Sequence, residues 1–189
     1  MKESQLIKGC IKNDRRAQNA LYEMYFPLMS SVALRYAKRE EDALQKMNGG
    51  FLKVLQNINK YDNQFTLATW IRNILVNHMI DEFRKEKKYI ASIHLTEFAE
   101  TDSMVDFNSA ESNLGVKELR SMLSNLPEVT EKVFNLYAID GYKHREIAEL
   151  LNISEGTSKW HVSDARKKLK RMLEKQTKME EQMVTIGRK

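Results

Sequence analysis

The chain has 189 residues, 42% of them apolar and 30% charged, enough to bury one ordinary core or two small ones. Seven Gly and two Pro leave little of the turn chemistry that a many-stranded sheet needs, so the expected fold class is all-α. A net charge of +5 allows an acidic partner without requiring one, and its distribution says more. Residues 1–95 carry 16 Lys/Arg against 10 Asp/Glu, residues 96–118 carry one against six, and residues 119–189 carry 14 against 10. The order is basic, acidic, basic.

No stretch approaches the roughly 18 continuous apolar residues of a membrane span, and the N-terminus lacks the pattern of a secretory signal, so a cytoplasmic protein without membrane insertion is expected. Cys10 is the single cysteine, which rules out an internal disulfide. Neither it nor His78, His94, His144 and His161 has metal-ligand spacing, and no cofactor is expected.

In chain order, apolar residues recur at helical spacing from residue 4 onward: Leu6, Ile7, Cys10, Ile11, then Ala17, Ala20, Leu21, Met24 and Tyr25. Pro27 suits the first turn of a new helix through Met29, Val32, Ala33 and Tyr36. Residues 42–56 read as another helix in which Gly49 and Gly50, each costing about 1 kcal/mol relative to Ala, must be tolerated for packing or contact. Residues 57–66 are polar and turn-rich. Residues 67–88 return to helix, with Trp70, Ile71, Ile74, Leu75, Met79, Ile80 and Phe83 on one face.

Residues 96–117 are acidic and poorly periodic, the expected linker. A second helical module follows over 118–176, broken at 125–127, 140–141 and 152–154, and residues 177–189 are expected to be a disordered tail. The expected domains are therefore 1–95 and 118–176, two small helical domains joined by a flexible acidic linker.

The segment YKHREIAELLNISEGTSKWHVSDARKKLKRML has the logic of a helix-turn-helix. Ile147, Leu150 and Leu151 make an apolar face, Ala148 lets helices approach, Asn152 takes the left-handed conformation, Ile153 plugs the core and Ser154 caps the next helix. In that next helix Val162, Ala165 and Leu169 face inward. Glu155, Thr157, Ser158, Lys159, His161 and Arg166 then face outward, with Lys143, Arg145 and Ser154 beside them, as donors and acceptors for base edges and phosphates. The segment NKYDNQFTLATWIRNILVNHMIDEFRKEKK interleaves Tyr61, Phe65 and Trp70 with Lys60, Arg72 and Arg84 and the amides Asn63, Gln64, Asn73 and Asn77, a composition that stacks unpaired bases while cations follow the phosphates. Phe65 and Trp70 also fit the simpler role of core anchors.

Together these segments resemble the extracytoplasmic-function group of bacterial RNA polymerase sigma factors over residues 6–173. The likeness is carried by DALQKMNGGFLKVL, by KYDNQFTLATWIRNILVNHMIDEFRK, and in the C-terminal half by Leu126, Pro127, Val133, Phe134, Leu136, Gly141, Glu146, Ile147, Ala148, Leu151, Ile153, Ser154, Gly156, Thr157 and Lys159. The resemblance implies a factor that gives polymerase its promoter choice. Its N-terminal domain would dock on the clamp helices of the largest polymerase subunit through Asp42, Met47, Asn48, Phe51, Leu52 and Leu55, with the polymerase flap as a further contact of the factor. Residues 61–66, Thr66 included, would form a loop for a flipped-out base of the upstream melting element, beside Asn73, Asn77, Asp81 and Arg84. The C-terminal helix would read duplex promoter DNA, and the acidic linker would run toward the RNA exit path. An anti-sigma protein is a common further partner in that family. Departures are present: Asn48 and Gly49 stand where Gln and an acid are usual, Trp160 and His161 where Ser and Arg are common, and Glu131 and Lys132 at the usual arginine site.

The competing reading is a helix-turn-helix regulator that binds DNA without being a polymerase subunit; residues 1–95 show no strand pattern, phosphate loop or ligand pocket to support it. An enzyme is not expected, because the neighbouring acids Asp81 and Glu82, or Glu40 to Asp42, have no nucleophile, metal set or activated base with them.

Overall fold

The computed structural model describes residues 2–93 and 114–186, and side chains for 2–89 and 118–177; His94 and the acidic stretch 96–113 lie outside the described residues. All regular elements among them are helical. The chain divides into two compact units, Met1–Asn108 and Ser109–Lys189.

In the first unit α1 (Glu3–Ile11) packs on α2 (Arg15–Tyr36), and α2, α3 (Glu40–Asn57) and α4 (Leu67–Ile93) pack on one another. Asp14 starts α2 by accepting a hydrogen bond from the Arg16 amide at 2.9 Å. The core is an interdigitated set that includes Leu6, Leu21, Met29, Met47, Leu75 and Ile80, each essentially inaccessible and contributing roughly 1.5–3 kcal/mol by burial.

Pro27 lies inside α2 instead of opening a new helix. It removes one amide donor to the carbonyl four residues back, a cost of about 3 kcal/mol in an isolated helix. Its ring is exposed, and buried Leu21 on one side and Met29, Val32 and Ala33 on the other hold both halves to the same core, which overrides the local break.

Gly49 and Gly50 answer to packing. A Cβ at Gly50 would lie 2.5 Å from Leu75 Cδ2, and one at Gly49 would lie 2.8 Å from His78 Nε2. The two glycines let α3 and α4 approach more closely than any side chain permits.

The second unit contains α5 (Leu114–Ser124), α6 (Glu128–Phe134) continuing into a π turn (Asn135–Ile139), α7 (His144–Leu151) and α8 (Glu155–Ile186). Helix α5 begins four residues inside the stretch expected as linker, its first turn disguised by Gly115 and the acids before it. The backbone of α8 stays helical to Ile186, ten residues into the tail expected to be disordered. The core here is Leu123, Leu126, Val133, Leu136, Ile147, Val162, Ala165 and Leu169.

Candidate nucleic-acid and protein interfaces

The bend between α7 and α8 is built from local chemistry. Asn152 ends α7 at φ 54°, ψ 50°, the left-handed conformation that asparagine tolerates. The Ile153 amide then donates to the Ala148 carbonyl at 3.0 Å, and the Thr157 amide donates to Ser154 Oγ at 2.9 Å, capping α8. At the start of α7, the Glu146 carboxylate accepts from the Lys143 amide at 2.7 Å. Ile153 is half-buried, and Val162, Ala165 and Leu169 face the core. The segment is a helix-turn-helix.

The outward set of α8 differs from the one its sequence suggests. Ser158 is fully buried, with its Oγ 3.0 Å from His144 Nδ1. His161 is half-buried, its Nδ1 2.9 Å from Thr130 Oγ1 on α6. Both polar side chains are spent on joining helices. Glu155, Lys159 and Arg166 are exposed and Thr157 is half-buried; Lys143, Arg145 and Ser154 are exposed on and beside α7. Glu155 and Lys159 pair at 2.6 Å one turn apart, and this hydrogen bond lowers the Glu155 pKa. The Arg166 guanidinium sits 5.8 Å over the Tyr137 ring, which in turn stacks on His144 at 4.5 Å. Trp160 of the same helix is also exposed, at 60%.

In the first unit, residues 61–66 form a braced loop. The Tyr61 hydroxyl donates to the Phe65 carbonyl at 2.8 Å, the Gln64 amide donates to Asp62 Oδ1 at 3.1 Å, and Asn63 takes φ 61°. Thr66 caps α4 by accepting from the Thr69 amide at 3.2 Å. The Tyr61 ring lies 5.5 Å from Trp70, which is half-buried, and burial followed by the nearby Glu3 and Asp62 carboxylates raises the Tyr61 pKa. Phe65 is no core anchor: it is 62% exposed at the loop. Lys60, Asn63, Gln64 and Thr66 are exposed around it. Along α4 the spacing of Trp70, Asn73, Asn77, Asp81 and Arg84 places them on one stripe that starts at the loop. Arg72 is exposed but lies off that stripe, and Asp81 pairs with Lys53 of α3 at 3.3 Å.

Helix α3 sorts its apolar residues onto two faces. Met47 and Phe51 are buried, Phe51 edge-on to Tyr22 at 5.1 Å, so they belong to the core and not to a contact surface. Leu44 and Leu52 are exposed at 50% and 55%, and with Asn48 between them they recur every four residues as an outward ridge. Asp42 and Leu55 are half-buried at its margins. Asn48 Oδ1 accepts from the Tyr22 hydroxyl at 2.9 Å, which ties the ridge to α2. Leu44 was missing from the residues expected at this surface, and its four-residue spacing from Asn48 and Leu52 was the available signal.

Two family matches cover these units. Residues 21–89 match sigma-70 region 2, and residues 117–169 match sigma-70 region 4. The first holds the α3 ridge, the braced loop and the α4 stripe; the second holds the helix-turn-helix. Among curated relatives, the extracytoplasmic-function RNA polymerase sigma factor SigW of Bacillus subtilis is 24% identical over 176 residues, spanning 88% of this chain and 94% of the relative. The extracytoplasmic-function factor SigM of Mycobacterium tuberculosis is 22% identical over 171 residues, spanning 90% and 84%. In fold, the chain is similar to the sigma factor RpoE of Bartonella quintana, solved in complex with the anti-sigma factor NepR, with a TM-score of 0.56, 18% identity, and coverage of 82% of this chain and 96% of that one. A free-standing helix-turn-helix regulator leaves the region 2 match unexplained. With both characteristic regions present in order, each containing its own exposed surface, the chain belongs to the sigma-70 family of RNA polymerase sigma factors, in its extracytoplasmic-function group.

Proposed function

We propose a division of labour among the three surfaces. The Leu44, Asn48 and Leu52 ridge docks on the clamp helices of core polymerase, the loop 61–66 with the α4 stripe holds one strand of the melted promoter, and α8 reads the duplex further upstream. The observation that carries this is the braced loop. Phe65 is exposed beside the tilted aromatic pair Tyr61 and Trp70, with its carbonyl held by a hydrogen bond internal to the loop. An unpaired base can stack there without the loop first having to order.

Capture of an extruded base returns part of the few kcal/mol that unstacking costs, so opening proceeds by binding free energy and needs no ATP. The chain contributes recognition and the polymerase contributes the chemistry. This activity places the protein in the cytoplasm with the polymerase. An anti-sigma protein, the partner named for the Bartonella quintana neighbour, would act by covering one of these surfaces.

The test is initiation by core polymerase freed of other sigma factors. Adding the full chain is expected to produce transcripts from one defined start on a responsive promoter. Phe65→Ala is expected to leave polymerase binding and thermal stability unchanged while open-complex formation falls roughly 5- to 150-fold, the range for losing one base–aromatic stack. Equal loss of binding and opening would remove the loop from the proposed role.

A further inference from the structure

Burial of Ser158 and the tie between His161 and Thr130 change which side chain α8 offers to a base. In its first three turns the helix keeps Glu155, Gly156, Lys159, Trp160 and Ser163 exposed, and Trp160 is the one large apolar side chain among them. A lone surface tryptophan is unremarkable by itself. Three features of its setting point further.

The Trp160 indole packs edge-on against the His161 ring at 4.9 Å and 70°, and that ring is hydrogen-bonded to α6, so the indole has a fixed neighbour. One turn toward the N-terminus stands Gly156, where an added Cβ would meet only Ser154 Oγ at 3.6 Å. Helical side chains lean toward the N-terminus, so the ground ahead of Trp160 carries no side chain that would keep a ligand off. Lys159, paired with Glu155 one turn back, and Lys167 are exposed within two turns of Trp160, cations that can follow phosphates once the pair exchanges partners.

We propose that Trp160 is the specificity-determining residue of α8, laying its indole against the C5-methyl of a thymine in the upstream major groove. The assignment rests on the reading of α8 as the duplex-binding helix. Thymine is the base that presents a methyl group there, and an indole offers a broad apolar face with a single donor. The N-terminal turns of a recognition helix are those that meet base edges, and Trp160 lies in the second turn of α8.

The experiment uses holoenzyme assembled from the full chain and core polymerase to select duplexes from a pool randomised across the upstream element. Wild-type holoenzyme is expected to select a thymine at one or two positions. Replacing that thymine by deoxyuridine deletes the methyl group alone, and is expected to weaken wild-type binding roughly fourfold, the value of one buried methyl. Trp160→Ala is expected to bind both duplexes equally and to relax the selection at that position, while melting at the wild-type temperature. A deoxyuridine penalty that persists in Trp160→Ala, or a wild-type protein indifferent to deoxyuridine at every selected thymine, overturns the assignment alone. Failure to select any duplex overturns the reading of α8 beneath it.

Discussion

His161 Nδ1 lies 2.9 Å from the Thr130 hydroxyl, so the imidazole joins α8 to α6 instead of facing outward with the helix's basic residues. Thr130 is itself 1% exposed, which makes this a hydrogen bond screened from water. Thr130→Val keeps the side-chain shape and removes the hydroxyl, leaving a half-buried ring nitrogen without this partner. The expected cost is about 1 kcal/mol in the unfolding of the C-terminal unit. His161→Ala should cost a comparable amount, and the double variant little more than either single one, because both remove the same bond. Chemical denaturation of the four proteins measures the coupling, and strictly additive losses would show that the two side chains do not interact.

Close approach of α3 and α4 makes Gly50 sensitive in a direction opposite to helix propensity. Ala is favoured over Gly by about 1 kcal/mol in a helix interior, but here its Cβ would press on Leu75 Cδ2, whose side chain is fully buried. Overpacking of this kind costs roughly 1–3 kcal/mol. Gly50→Ala is therefore expected to lower stability, and Gly50→Ala with Leu75→Val to regain part of it. A Gly50→Ala protein more stable than wild type would mean that the helices separate at little cost.

The two faces of α3 separate docking from folding. Leu52→Asp, on the exposed ridge, is expected to leave the melting temperature within the small range of surface substitutions while weakening association with core polymerase by tenfold or more, the effect of a central interface residue. Met47→Ala, 1% exposed, is expected to cost roughly 2–5 kcal/mol of stability through the cavity it leaves. Titration of labelled core polymerase alongside thermal melts distinguishes the two. Weak binding by a fully folded Met47→Ala protein would move that residue back to the interface.

How much of this was legible in the sequence depended on whether the deciding interaction was local. The bend at Asn152 and the cap at Ser154 were readable because their partners, Ala148 and Thr157, lie within five residues. The buried faces of α4 and α8 were readable because their apolar residues keep helical period. Helix α3 was ambiguous for a physical reason: with apolar residues on two faces, hydrophobicity identifies an amphipathic helix without saying which face meets the core, so Met47 and Leu52 looked alike. Ser158 and His161 were misplaced because their partners, His144 and Thr130, sit on other helices at sequence separations of 14 and 31. Pro27 obeyed a local rule that packing on both sides of it overrode.

The closest junction of α3 and α4 also carries a pH dependence. His78 is 7% exposed, its ring against Gly49, and burial followed by the nearby Lys53 lowers its pKa below the usual 6.5. The folded protein thus holds this imidazole neutral where the unfolded chain already binds a proton. Stability is complete above about pH 6.5 and is lost as pH falls below that value toward the lowered folded pKa. Glu82, whose hydrogen bond to Lys85 lowers its pKa, contributes stability that is present above about 4.5 and is lost in a more acidic window, so the two effects separate along the pH axis. Urea midpoints measured from pH 7.5 to 5.0 are expected to fall for the wild type and to stay nearly level for His78→Gln, which has no charge to gain. Parallel profiles for the two proteins would assign the acid sensitivity to groups elsewhere in the chain.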